Sequence, residues 1–378
     1  MSDDTKKTRR ARGEGGLTYR AEDDLWIASL STKDPETNRR IRRVFYGKTK
    51  NEALGKLREA RKQVDAGVLK PTHDTVSEFL DKWLASIARS VRPSTLAHYR
   101  EFCDWYIRPV IGGVQLNKVT PMVVEQMLKT LHERKRSPRV LYFSHAILGR
   151  AMKKAVKWKQ IPHNPVDGVD RPKWDRDTFK FWEPADALKF LEANQKDWLY
   201  ALYDLALNTG MRQGELLGLH WEDVDFEEGT IHVHQQLNEV KGELLGFGPV
   251  KSKAGNRTIR LSSSSLASLR KHQEKLLAAG LRTSKTVFPT MEGGLYTKSH
   301  LIHRFHEAVA RAGVPKMNFH ALRHSNATML VANGTDLRTV QGRLGHSQAA
   351  VTMKYAKFTK AADERAADLM ESLIGKKK

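Results

Sequence analysis

Residues 344–358 read LGHSQAAVTMKYAKF and place His346 nine positions ahead of Tyr355. Alone the stretch says little, because a single histidine or tyrosine usually packs. It gains meaning from three stretches upstream. FHALRHSNAT (319–328) pairs His320 with Arg323, VKSKAGNRTIRL (250–261) puts Lys253 beside a hairpin turn, and TGMRQGELLGL (209–219) carries Arg212 just past a helix end with Glu215 three positions on. Arginines in a basic chain mostly face solvent, so the order of these motifs carries the information, not any one residue.

The chain around them has 378 residues, is 40% hydrophobic and carries a formal charge of +22. Its length predicts two or three domains with real cores. So large a positive excess commonly marks a partner made of phosphates, since each neutralised phosphate releases counterions. Nucleic acid is the first expectation. A membrane surface is the rival, but no apolar stretch approaches the roughly 20 residues that span a bilayer. The N-terminal MSDDTKKTRRARGEGG lacks the apolar core of a signal peptide, so the expected location is the cytoplasm. Cys103 is the only cysteine, which excludes an internal disulfide framework and a cysteine-based zinc site. Its setting in EFCDWYI reads as an apolar helix face and a structural role.

Read along its length, the chain predicts a multidomain, mainly helical α+β protein. Residues 1–15 are polar and basic and read as a flexible arm. Residues 16–67 read as a three-stranded meander, GLTYRA, LWIASLS and RRIRRVFYG, broken at Asp23-Asp24 and Asp34-Pro35-Glu36 and followed by one helix. In that helix Ala53, Leu54, Leu57, Ala60 and Val64 recur at helical spacing, Thr49 precedes it and Gly67 supplies a stop. Arg39, Arg40, Arg42 and Arg43 would put basic side chains on both faces of the last strand, as a strand that meets DNA or as a solvated edge. Residues 72–167 look all-helical, with Pro93, Pro121 and Pro138 near helix starts and Thr120 as an N-cap. DGVDRPKWDRDTFKF, which covers a 168–181 linker, has no sustained period and reads as a hinge before a third domain, 182–378. There DWLYALYDLALNTG predicts a helix ending at Gly210, GELLGLHWEDV another, and TIHVHQQLNE, LGFGPVKS and NRTIRL a three-stranded antiparallel sheet. The run Ser262–Ser265 closes a strand and caps the next helix.

With these motifs in hand, the chain resembles the tyrosine recombinase or phage integrase family, its lambda-type members in particular. The family's arginine, lysine, histidine-x-x-arginine, histidine and tyrosine are matched in order by Arg212, Lys253, His320, Arg323, His346 and Tyr355. The resemblance implies an arm-binding domain in 16–67, a core-binding domain in 72–167 and a catalytic domain in 182–378 with a C-terminal exchange segment, 360–378. It further implies double-stranded DNA attachment sites as substrate, a homotetramer on DNA, a DNA-bending host factor and an excisionase, in the nucleoid of a bacterial host cell. A catalytically silent DNA-binding regulator and a type IB topoisomerase are the rival readings.

Cutting a phosphodiester by direct attack needs a nucleophile, stabilisation of charge on the non-bridging oxygens, and a proton for the departing sugar oxygen. Tyr355 as a neutral phenol, with a reference pKa of about 10, needs a positive pocket and a proton acceptor. Arg212 and Arg323 are permanently charged forks that match phosphate geometry. Lys253 is the candidate acid for the 5′ oxygen, with Lys251 as its rival. His320 would take or relay the tyrosine's proton, His346 would bond a phosphate oxygen, and Glu215 would orient. The energy of the broken bond is kept in the phosphotyrosine, so no ATP is expected and no phosphate-binding loop is found. No cofactor is expected either, because the cations do the work of divalent ions. His300, His303 and His306 lie at helical spacing, but no carboxylate or cysteine completes a metal-ligand pattern. After Tyr355, Ala362, Ala366, Leu369 and Leu373 mark a short apolar helix face that should dock on a neighbouring protomer or on its own domain.

Overall fold

Period-two alternation near the N-terminus produces three antiparallel strands, β1 (Gly16–Arg20), β2 (Leu25–Lys33) and β3 (Arg40–Gly47). The computed structural model describes residues 16–33, 40–65, 74–174 and 180–353, together with 367, 368, 370–372 and 374. The chain divides into two compact units, Met1–Asp175 and Arg176–Lys378. In the small sheet Leu17 pairs with Ala28 and Ala28 with Phe45, so these residues share a face. Helix α1 (Lys50–Asp65) covers that face with Ala53, Leu57 and Ala60, packed on Ala28 and Leu30. Thr49 Oγ1 accepts the Glu52 backbone N–H at 3.2 Å, which starts the helix. Among the described residues the other face is open: Arg42, Val44 and Tyr46 are exposed, and the Arg20 guanidinium lies 6.0 Å from the Tyr46 ring centroid. Arg40 and Arg43 pair in register with Lys33 and Leu30. Arg39, the turn at Asp34-Pro35-Glu36 and the stop at Gly67 lie outside the described residues.

The next segment is helical throughout: α2 (Val76–Ile87), α3 (Pro93–Phe102), α4 (Arg108–Ile111), α5 (Pro121–Glu133) and α6 (Pro138–Lys157). Pro93, Pro121 and Pro138 all open their helices, where the missing N–H has no intrahelical partner to lose. Thr75 and Glu78 cap α2 reciprocally, at 3.3 Å and 2.8 Å. Phe79, Leu80, Ile107, Met127, Leu131 and Ile147 fill the core between the helices. One detail differs from the uniform helix expected over 92–112. Cys103–Ile107 widens into a single π turn before α4. Pro109 explains it, because a proline ring conflicts with the carbonyl four residues back and a wider turn relieves the conflict. Cys103 is fully buried in this core, and burial pushes its thiol up to about 12, so it is unreactive at neutral pH.

The second unit begins around Trp182, which is buried and donates through its backbone N–H to Ser325 Oγ and through its ring N–H to Pro315 O, both at 2.8 Å. Helices α7 (Pro184–Ala193), α8 (Tyr200–Thr209) and α9 (Gln213–Leu217) follow. Phe190 sits 4.8 Å from Trp182, 5.3 Å from Tyr203 and 5.7 Å from Phe305, centroid to centroid, and this aromatic cluster anchors the core. The helix expected over 214–224 stops at Leu217. At Gly218 an added Cβ would lie 2.6 Å from the Leu237 nitrogen, so the backbone turns there to lie against a strand, and Trp221–Asp223 forms only a tight turn.

The sheet also differs from the single three-stranded one expected. Strands β4 (Val224–Asp225), β5 (Thr230–Val233), β6 (Gln235–Val240), β7 (Glu243–Pro249) and β8 (Arg257–Arg260) form two sheets, β4-β5-β8 and β6-β7. The run TIHVHQQLNE divides at His234, whose ring bonds Asp223 Oδ1 at 2.7 Å and whose carbonyl accepts from Val250 N at 3.2 Å. Before it the chain pairs with β8, and after it with β7 across a Lys241-Gly242 turn of positive φ. The remainder is helical: α10 (Ser263–Ala278), capped by Ser262, then α11 (Lys298–Ala312), α12 (Ala321–Ala332), α13 (Leu337–Leu344) and α14 (Ala349–Thr352). The fold class expected from the sequence, mainly helical α+β with small antiparallel sheets, is the one observed. Among the described residues no helix is long and apolar enough to cross a membrane.

Candidate active site

Helix α8 ends at Gly210 in the left-handed region, with φ of 64°. A side chain there would collide with Leu344 Cδ2 and approach Asn326 Oδ1 to 2.9 Å, so the ends of α8 and α13 and the middle of α12 meet at this glycine. Arg323, only 2% exposed, reaches into the junction from α12 and donates to Gly210 O and Leu344 O, each at 2.7 Å. Arg212, just beyond Gly210, donates to Glu215 Oε1 at 2.7 Å and to Gly345 O at 3.0 Å. Both guanidinium groups therefore hold successive carbonyls of the turn that leads to His346. Glu215 is 1% exposed and also accepts from Arg212 N and from Arg257 Nη2, each at 3.0 Å. Burial raises its pKa, but Arg257 and Arg212 outweigh that, and it lies below the ordinary carboxylate range. Arg212 keeps 25% of its side-chain surface open.

The two histidines sit among these cations. His346 is buried, with Nδ1 2.9 Å from Thr352 Oγ1, and loss of water together with Arg323, Arg212 and Arg257 holds it down to about 3. His320 stands at the head of α12, its ring centroid 4.9 Å from that of His324. Crowding away from water, then His324, Arg323 and Arg212, push it down to about 4, although the residue keeps an open face to solvent. Both imidazoles are neutral at pH 7 and able to accept protons, and a phosphate placed beside them would raise both pKa values.

The shift at His346 has a measurable consequence. Between its ordinary value of about 6.5 and its native value of about 3 the unfolded chain binds a proton that the folded chain refuses. Stability is thus complete above pH 6.5 and falls as pH drops below it. Urea unfolding at pH 7 and pH 5 should show a lower midpoint at pH 5, and His346→Gln should narrow the gap; an unchanged gap would mean the imidazole is not held neutral.

Lys253 lies exposed on the Lys253–Gly255 turn, where Gly255 N donates to Ser252 O at 2.9 Å and Asn256 N to Lys253 O at 3.1 Å. The turn abuts the carbonyl clamp: a Cβ on Gly345 would lie 2.6 Å from Ala254 O. Arg212, Glu215, Arg323, His320 and His346 are thereby brought into one cluster, with the Lys253 turn alongside. Lys251 is exposed near the same turn. Tyr355 and the four apolar positions of the tail, Ala362, Ala366, Leu369 and Leu373, lie outside the described residues. Among the described residues no cluster of His, Cys, Asp and Glu could hold a metal, and His303 instead sits 3.3 Å from Glu307. Sequence reasoning missed Arg257, whose side chain is 7% exposed. Its signal was present, since Arg257 shares a strand face with the buried Ile259, and an arginine at an inward strand position requires a partner.

Permanent cations packed around neutral imidazoles, on a chain of this charge, suit an enzyme acting on a phosphate polymer, and comparison with known proteins makes the class definite. The phage integrase family profile matches residues 181–362, and the phage integrase N-terminal SAM-like domain profile matches residues 75–132. A XerC-like tyrosine recombinase of Caldanaerobacter subterraneus is 30% identical over 84% of this chain and 88% of its own. The ICEBs1 integrase of Bacillus subtilis is 26% identical over 90% and 95%. Two solved structures share the fold: the Tn1549 transposon integrase in complex with a circular intermediate DNA, with a TM-score of 0.67 and 22% identity over 79% of this chain and 99% of that one, and a lambda integrase tetramer bound to a Holliday junction, with a TM-score of 0.60 and 19% identity over 93% and 99%. The chain belongs to the phage integrase family of tyrosine recombinases. Its activity is that of the class: site-specific cleavage and rejoining of DNA.

Proposed function

We propose that the chain integrates or excises a mobile element with Tyr355 as the nucleophile. The phenolic oxygen attacks the scissile phosphorus, the bond to the 5′ oxygen breaks, and a 3′-phosphotyrosine forms. Arg212 and Arg323 stabilise the charge that develops on the phosphate. Lys253 protonates the departing 5′ oxygen, His320 takes the phenol's proton, His346 bonds a phosphate oxygen, and Glu215 orients Arg212. The observation that carries this reading is the pair of guanidinium groups clamped on the carbonyls of Leu344 and Gly345, directly before His346, which lies nine positions ahead of Tyr355 in the sequence.

The same reading assigns 72–167 to core-site binding, 182–378 to catalysis and 16–67, with the 1–15 arm, to a second class of DNA site. Support for the last comes from the uncovered sheet face bearing Arg20, Arg42 and Tyr46. Arg40 and Arg43 add to the basic character of that strand, and Arg39 precedes it in the sequence. The protein works as a homotetramer on its attachment sites, exchanging the 360–378 segment between protomers, with a DNA-bending host factor and an excisionase, in the cytoplasm and nucleoid of a bacterial cell. A suicide substrate nicked beside the crossover point tests the chemistry. A covalent adduct should form, and mass spectrometry should find the nucleotide on Tyr355; an adduct at another side chain, or none, would remove the assignment.

A further inference from the structure

Two arginines with no part in the chemistry above tie the lysine turn to the rest of the site. Arg257 opens β8, directly after that turn. Its Nη1 donates to Gly255 O at 2.9 Å, its Nε to Arg343 O at 2.7 Å and its Nη2 to Glu215 Oε2 at 3.0 Å. Arg343, in the last turn of α13, reaches back: Nη1 donates to Arg260 O at 3.1 Å and Nη2 to Asn208 O at 2.9 Å. The cross-links run in opposite directions, from a β8 side chain to α13 backbone and from an α13 side chain to β8 backbone. A strap of this kind resists both sliding and tilting of one element against the other.

Arg257 is nearly buried, and each of its three guanidinium nitrogens has a partner within the fold. Arg212 and Arg257 instead share one carboxylate, Arg212 on Oε1 and Arg257 on Oε2 of Glu215. A shift of the lysine turn is therefore passed through Arg257 and Glu215 to Arg212. Lys253 itself is exposed on a long side chain, and the position of its turn decides where the ammonium sits. We propose that Arg257, together with Arg343, is a positioning residue that fixes the Lys253 turn against the Arg212–Glu215 pair, so that the proton donor and the phosphate-binding arginine keep one spacing. The inference rests on the reading of Lys253 as the general acid.

The test uses that reading's own chemistry. When the phosphorus–oxygen bond breaks, the 5′ oxygen leaves with the electron pair and takes a proton from Lys253; a sulfur at the same bridging position leaves as a stable thiolate and needs none. Single-turnover cleavage is measured on paired suicide substrates, 5′-oxygen and 5′-bridging sulfur, for full-length wild type, Lys253→Ala, Arg257→Met and Arg343→Met. Arg257→Met should lose on the order of 10²-fold on the oxygen substrate, the scale expected of a misplaced catalytic group, and recover near wild-type cleavage on the sulfur substrate, as Lys253→Ala does. Arg343→Met, which removes the α13-to-β8 half of the strap without leaving Glu215 short of a partner, should show the same pattern. If Arg257→Met is equally slow on both substrates while Lys253→Ala recovers, or if Arg343→Met cuts the oxygen substrate normally, the proposal is overturned. If Lys253→Ala does not recover, the general-acid reading itself fails and takes the proposal with it.

Discussion

Tyr355→Phe will bind its DNA as tightly as the unaltered protein and form no covalent adduct on a nicked substrate. The substitution removes one oxygen and leaves the ring and the charge of the chain unchanged, whereas the proposed attacking atom is gone. The proposed acceptor, His320, is an imidazole held down to about 4 by loss of water, then by His324, Arg323 and Arg212, and it offers no oxygen to attack with. A phosphate bound beside His320 would raise that value, and it is in this charged complex that the imidazole could take a proton from a phenol. Binding measured by gel shift beside adduct formation on a denaturing gel separates the two outcomes, and a covalent band from the variant would place the nucleophile elsewhere.

Arg323→Lys should be nearly as damaging, though the charge is kept. The guanidinium spans Gly210 O and Leu344 O with two nitrogens, while an ammonium on a flexible stem is a compact point charge that cannot reproduce the planar fork. A carbonyl left without a donor in a junction this buried should lower stability by about 1–3 kcal/mol. Cleavage should fall by roughly 10² to 10³ through lost transition-state stabilisation. Arg212→Lys is the control, because Arg212 is a quarter open (25%) and its loss should cost less stability for a similar loss of rate. Wild-type cleavage by Arg323→Lys would show that the fork is not needed.

What could be read from the sequence was whatever local chemistry decides. Pro93, Pro121 and Pro138 start helices because an N-terminal N–H is spare anywhere, and Gly210 ends one because it tolerates positive φ. The family was legible through the order of the motifs, since each carries a residue type that phosphate chemistry requires. What could not be read depends on distant partners. TIHVHQQLNE looks like one strand, yet its halves belong to two sheets because Asp223 and Val250 hold His234 between them. GELLGLHWEDV looks like one helix, yet Gly218 turns to lie on Leu237. Arg257 was overlooked because its role exists only once Glu215 and Arg343 are beside it.

The carbonyl clamp also constrains how such a protein can decay. Arg212 and Arg323, the cations proposed to meet the substrate, are also the struts that hold the backbone ahead of His346. In a descendant that abandoned recombination, shedding either guanidinium would still loosen the backbone ahead of His346. Degenerate copies that still fold should therefore keep both arginines long after the nucleophile has gone.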